Sequence, residues 1–342
     1  MKLSTIFRPA VLFMAALMCI CFTGCGKTPG ASQTQIVLGT VVTVQVYGRQ
    51  SQEALDGAVE AAMDRARELE QIFSLNIDSS EINYVNQNAA KAPVHVSDDF
   101  YTVLERSLYF ARLTEGAFDP TLGKLIRLWG IGTDDARVPE PEEIAPLTGR
   151  RDYEHVLLDE QAHTVFFEND GFSLDFGAIA KGYAADEMKE LLQEDYHIDS
   201  ALLNLGGNII TIGNRPDGKP WTLGIADPSS PQPEEDPAVT LQVTDLTFVT
   251  SGDYQRYYEA PDGTRYHHIL DGSTGYPADS GLSSVTIITQ CSMDADALST
   301  ASFVLGQEKA QKLLQSINGV EAVFIDTQDQ ITATDGIRDQ LQ

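Results

Sequence analysis

The chain has 342 residues, of which 42% are hydrophobic and 21% charged, and a formal net charge of −27. That apolar content is ample for one large or two modest globular domains and excludes general disorder. The charge excludes nucleic acid as a partner, because so acidic a surface repels phosphate backbones, and it confines any anionic ligand to a place where a local cation neutralises it.

Residues 1–24 have the order of an export signal. A short basic start with Lys2 and Arg8 precedes the apolar run "PAVLFMAALMCICF", which is shorter than the ~20 residues of a membrane span. Thr23 and Gly24, directly before Cys25, resemble a bacterial lipobox. The expectation is that residues 1–24 are removed, that Cys25 carries lipid, and that residues 25–34 form a flexible tether. The protein would then be lipid-anchored to the membrane on its extracytoplasmic side; an ordinary cleaved signal is the alternative. Cys19 and Cys21 leave with the signal, so only Cys291 remains and no intramolecular disulfide can form. Within "VTIITQCSM", Cys291 is expected to be a buried small apolar residue rather than a nucleophile.

Residues 35–342 are expected to form one catalytic domain. The alternating, β-branched stretch 35–48 predicts a strand or bent strand pair. Residues 52–73 place Ala54, Leu55, Ala58, Val59, Ala62, Met63, Ala66, Leu69 and Phe73 on one helical face. A second helix is predicted over 97–116, capped by Ser97, and a third over 176–196 with a first turn rich in Gly and Ala. From Asp199 the pattern changes to short β-like runs at 200–205, 208–213, 221–226, 238–244, 246–250, 264–270 and 283–289, with turn signals between them. A helix through the stretch "DADALSTA" (294–301), another over 307–317 and strands at 320–325 and 330–334 complete the prediction. The fold class is mixed α/β with a largely antiparallel sheet flanked by helices.

The sequence carries no Walker loop, GxGxxG, HExxH or CxxC. Gly206-Gly207 reads as a tight turn between strands. His267 and His268 sit at a strand end, and adjacent strand residues point to opposite faces, so one histidine should face inward. Asp175 precedes a helix start and Lys181 lies inside it; together they suit either an anion at the helix N-terminus or a capping Asp with a solvated Lys. In "DADALSTA", Asp296 and Thr300 are four apart and share a helical face, whereas Asp294 is turned roughly 200° from Asp296. Two readings stay open here. The acidic residues merely favour a helix start, or Asp296 and Thr300 offer hard oxygen ligands to Mg²⁺, which would let an acidic protein hold a diphosphate.

Eight segments in this order resemble the ApbE family of FAD:protein FMN transferases: "LGT" (38–40), "FSLNIDSSEINYVN" (73–86), "GAFDPTLGKLIRLWG" (116–130), "LDFGAIAKGYAAD" (174–186), "LNLGGN" (203–208), "VTSGDYQR" (249–256), "HHILDGSTGYP" (267–277) and "DADALSTASFVLG" (294–306). The resemblance implies Mg²⁺-dependent transfer of the FMN part of FAD to a Thr or Ser hydroxyl of a target protein, with release of AMP. The expected target is a membrane electron-transfer subunit. It implies Asp296, Thr300 and the Ala178 carbonyl as Mg²⁺ ligands. It further implies FAD contacts at Leu38, Asn76, Ala117, Phe118, Asp119, Asp175, Lys181 and Ile269, with His268 assisting proton transfer. Asp271 is added here as the residue that orients His268. Three positions depart from the family pattern: Leu38 stands where Met is usual, Asn76 where Tyr is frequent, and Gly272 where Pro is frequent. Without an aromatic at 76, ring stacking on FAD is lost and water has easier access. Hydrolysis of FAD to FMN and AMP at the same site is therefore the main alternative. A lipid-anchored flavin-binding or solute-binding protein without turnover is the other.

Overall fold

The computed structural model describes residues 28–232 and 236–342; the export segment and Cys25 lie outside the described residues. The chain opens with a hairpin. β1 (Gly30–Val37) and β2 (Thr40–Tyr47) pair antiparallel, with Val37 opposite Thr40. Both residues of the Leu38-Gly39 turn have positive φ, the geometry that matches the right-handed twist of the strands. Leu38 bears its side chain in this left-handed region while its N–H donates to the Glu70 carboxylate at 2.7 Å.

α1 (Gln52–Phe73) is capped by Ser51 and buries the stripe from Leu55 to Phe73. α2 (Glu81–Asn88), the short β3 (Val94–His95) and α3 (Asp98–Leu113) follow, the last capped by Ser97. α4 (Gly123–Trp129) and α5 (Pro141–Ile144) lead to β4 (Val156–Asp159) and β5 (Thr164–Phe167), which form a small sheet with β3. After α6 (Ala180–Glu194) come β6 (Ser200–Leu205), β7 (Asn208–Ile212), β8 (Trp221–Ala226), β9 (Pro237–Val243) and β10 (Thr247–Gly252). Two short pairs follow, β11 (Tyr257–Glu259) with β12 (Arg265–His267) and β13 (Leu270–Asp271) with β14 (Tyr276–Pro277). β15 (Leu282–Thr289), α7 (Ser292–Leu305), α8 (Gln307–Leu314), β16 (Glu321–Asp326) and β17 (Ile331–Ala333) complete the order.

Eight strands form one antiparallel sheet in the order β1-β2-β6-β7-β10-β15-β16-β17. Period-two alternation sorts their side chains between two layers. Val44, Leu203, Ile210, Val249 and Ile287 join α1, α3, α6 and α7 in the main core. On the other face Phe248, Ile288, Val323 and Ile325 meet Trp221, Leu223, Leu241 and Val243 of the β8–β9 hairpin. The sheet therefore carries its main helical layer on one face and a β-hairpin on the other, rather than helices on both.

Three boundaries differ from the sequence-based expectation. Gly30–Thr34 belong to β1 instead of the tether, because β2 offers partners along their whole length. The run 264–270 is divided between β12, which ends at His267 with His268 N–H still bonded to the Arg256 carbonyl at 3.1 Å, and β13, which starts at Leu270 and pairs with β14 instead. The third helix starts at Ala180 rather than 176, for a reason that lies in α7.

Candidate active site

Several segments meet at one end of the sheet. The Gly206-Gly207 turn packs so closely on the start of β2 that a Cβ on Gly206 would lie 1.8 Å from Thr40 Oγ1, and its φ of +60° also favours glycine. Arg256 Nη2 donates to the Gly39 carbonyl at 2.9 Å, and the Arg256 carbonyl lies 3.1 Å from His268 Nδ1. The N-terminus of α6 and the middle of α7 complete this end.

α6 and α7 cap each other. Asp296 is 3% exposed, and its Oδ2 accepts from the Gly182 N–H at 2.9 Å while its Oδ1 lies 3.2 Å from Lys181 Nζ. In a continuing helix that N–H would go to the Ala178 carbonyl four residues back; here Asp296 takes it, and α6 begins two residues after Ala178. Reciprocally, Asp186 of α6 accepts from the N–H groups of Ser292 (2.9 Å) and Met293 (2.8 Å) at the start of α7. The helices approach so closely that a Cβ on Gly182 would lie 2.2 Å from the Ser292 carbonyl oxygen. Thr300, one turn after Asp296, has its hydroxyl 3.4 Å from Ser251 Oγ of β10. Asp294 faces away, in a two-pronged ion pair with Arg106 at 2.7 and 2.5 Å.

The two histidines divide as the alternation requires. His267 packs edge-on against Phe303, and its Nε2 lies 3.0 Å from the Ala278 carbonyl while its Nδ1 accepts from the Ile269 N–H. His268 has its Nδ1 against a carbonyl, which only accepts, so Nδ1 carries the proton and Nε2 the lone pair. Burial, reinforced by the charges of Arg256 and Lys181, lowers its pKa to about 4, so the ring is neutral at pH 7. Asp271 does not orient it. The Asp271 carboxylate accepts from the Ser273 N–H at 2.8 Å and shapes its own turn, and the Arg256 carbonyl holds the imidazole instead.

The remaining positions surround this end. Asp175 accepts from the Gly177 N–H at 2.6 Å, forming the turn into α6, and burial raises its pKa against that bond. Lys181 is not free in solvent; besides Asp296 it reaches the Gly177 carbonyl at 3.3 Å. Asp119 accepts from the Thr121 N–H and hydroxyl, and burial raises its carboxyl to about 6. The ring of Phe118 is buried against Phe110, and the N–H groups of Ala117 and Phe118 both donate to Thr114. Ile269 is buried beside His268. Asn76 is exposed on the loop after α1, whose neighbouring carbonyls at Leu75 and Ile77 are held by the Asn83 amide. Cys291 contacts Asp186, and burial beside that carboxylate pushes the thiol to about 12, which makes it inert as a nucleophile.

Residue-by-residue reading of the sequence did not single out Asp186, Ser251, Arg256 or Glu70. The first three lie in quoted segments, but their contacts with Ser292, Ser299 and Gly39 span 48–217 positions, beyond the reach of local spacing. The buried Asp296 carboxylate lies against the start of α6, two residues after Ala178, and the Thr300 hydroxyl follows it one helical turn later. That donor set fits Mg²⁺, which takes few protein ligands. Among the described residues no three His, Cys, Asp or Glu side chains cluster as a metal site, consistent with a set holding one carboxylate.

The ApbE protein of Thermotoga maritima superposes with a TM-score of 0.82 at 32% identity, over 91% of this chain and 99% of that one. The flavin transferase ApbE of Vibrio cholerae does so with 0.79 at 27% identity, over 92% and 100%. The chain belongs to the ApbE family, whose model matches residues 38–324. It is 39% identical to the FAD:protein FMN transferase of Treponema pallidum (strain Nichols), over 96% of this chain and 95% of the relative. It is 33% identical to that of Klebsiella pneumoniae (strain 342), over 86% and 88%.

Proposed function

We propose that this end of the sheet transfers the FMN part of FAD to a hydroxyl of a target protein, with His268 as the base. The chain is a transferase of the ApbE family with FAD as substrate and a protein as acceptor. The observation that carries the residue-level reading is the tautomer of His268: Nδ1–H is tied to the Arg256 carbonyl, so Nε2 is the nitrogen able to take a proton. The acceptor Thr or Ser oxygen attacks the FMN phosphorus, the bond to the bridging oxygen breaks, AMP leaves, and the hydroxyl proton passes to His268 Nε2. Asp296, Thr300 and the Ala178 carbonyl would hold Mg²⁺, which when bound neutralises the diphosphate and the departing phosphate. Lys181 adds a cation to the same place in an otherwise acidic molecule. Asp175, Asp119 and the main chain at Ala117 and Phe118 line the approach, and Leu38 and Ile269 supply apolar surface.

Incubation of the purified protein with FAD, Mg²⁺ and a target presenting a Thr in a flavinylation motif should add one FMN to the target, read by mass spectrometry. AMP release without target labelling would replace transfer by hydrolysis as the activity. The exposed Asn76, which cannot stack on the flavin, favours hydrolysis as a second activity; Asn76→Tyr should then lower AMP release in the absence of target. Absence of AMP altogether would leave a flavin-binding protein.

The order of residues 1–25 supports an exported, lipid-anchored protein acting on a membrane electron-transfer subunit. No helix among the described residues is long and apolar enough to cross a membrane, so attachment would rest on Cys25. Cells fed an alkyne fatty acid should label the wild type and not Cys25→Ser; equal labelling of both would exclude this anchor.

A further inference from the structure

Asn208 opens β7 and is 1% exposed, yet its Nδ2 has no hydrogen-bond partner. A buried amide donor without an acceptor is destabilising, and in native proteins such a group marks a bound ion, water or ligand. Its position follows from register. Asn208 pairs with Val249 of β10, and paired residues of an antiparallel ladder share a face. Val249 lies between Thr247, whose hydroxyl is 3.1 Å from Ser292 Oγ, and Ser251, whose hydroxyl is 2.8 Å from Ser299 Oγ. Asn208 thus belongs to the face covered by α7, at the level of the stretch between Ser292 and Ser299. That stretch carries Asp296, joined to Gly182 and Lys181 of α6. Ile210 and Ile212, the next inward positions of β7, are buried and apolar, so packing alone gives no reason for an amide at 208.

We propose that Asn208 is a substrate-binding residue whose Nδ2–H donates to a non-bridging oxygen of the FAD diphosphate. This rests on the reading of Asp296 and Lys181 as the diphosphate site. A neutral donor recognises a phosphate oxygen without placing a further charge in a buried position whose charges, Asp296 and Lys181, are already balanced.

The test is Asn208→Leu, close in shape but without the amide, with Asn208→Asp as a second variant that places a negative charge at the same point. Binding of FAD and of riboflavin, which lacks the phosphates, is measured with Mg²⁺ present, together with Tm in the absence of ligand. Asn208→Leu should keep or raise Tm, weaken FAD binding by about ten- to hundredfold, and leave riboflavin binding as in the wild type. Asn208→Asp should weaken FAD binding further and again spare riboflavin. Wild-type FAD affinity in both variants would overturn the proposal. So would a parallel loss of FAD binding, riboflavin binding and Tm, which would mark Asn208 as a structural residue satisfied by an internal water. A wild type that binds no FAD would overturn the diphosphate-site reading and this proposal with it.

Discussion

His268 shows how one main-chain contact sets a side chain's chemistry. Adjacent histidines in a strand diverge, and the inward one, His267, is consumed by the Ala278 carbonyl and the Ile269 N–H. The other is left with one nitrogen tied and one available. Its pKa of about 4 lies below the ordinary 6.5, so the native ring stays neutral where a free histidine would be charged. The acid limb of kcat/KM should therefore lie well below pH 6.5, and a limb centred on the ordinary value would remove His268 as the base. The same shift fixes a stability slope. As pH falls from 6.5 towards 4 the unfolded chain binds a proton that the native state refuses, so stability is lost in that window and not further below it. Urea titrations at pH 7 and 4.5 should show this loss shrinking in His268→Gln. Spacing predicts this divergence of the pair. It does not predict that the Arg256 carbonyl, twelve residues away and just before β11, is the orienting group, and Asp271 was the wrong partner for that reason.

Among the elements, the long helices and the sheet strands are legible because each has a clear period: 3.6 along α1, two along β6, β7, β10 and β15. The start of α6 is not legible. Its first turn looks helical in composition, but the N–H that would close it is taken by Asp296, 114 positions away. The start of β1 is hidden for a related reason, since "GASQT" has a linker's composition and becomes a strand through β2. The helix pair makes a sharp prediction. A Cβ on Gly182 meets the Ser292 main chain at 2.2 Å, and backbone cannot swing aside as a side-chain end would. Gly182→Ala should cost about 1–3 kcal/mol, seen as a lower urea midpoint, and should weaken activity by displacing Lys181 from Asp296. An unchanged midpoint would show that α6 and α7 do not need this approach.

On the scale of the whole molecule, a chain of net charge −27 handles a doubly phosphorylated substrate. The surface disfavours polyanions, so binding must be local. At one end of the sheet the structure brings together Lys181, the start of α6 and the buried Asp296 carboxylate, where the proposed function places the diphosphate. The eight-stranded sheet sets the Gly206-Gly207 turn beside β2 and β10, Arg256 ties down the Gly39 carbonyl, and the β8–β9 hairpin covers the opposite face. Asp296 is central to this account, and Asp294 is its internal control, two residues away on the same helix and held by Arg106 at a partly exposed position. The most direct measurement is Mg²⁺-dependent AMP release from FAD by the two single variants. Asp296→Ala should lose about a thousandfold or more of the activity, while Asp294→Ala should stay within about threefold of wild type, since such an ion pair is worth about 1 kcal/mol or less. If Asp294→Ala were the crippling change and Asp296→Ala mild, the assignment of the site to this face of α7 would be contradicted.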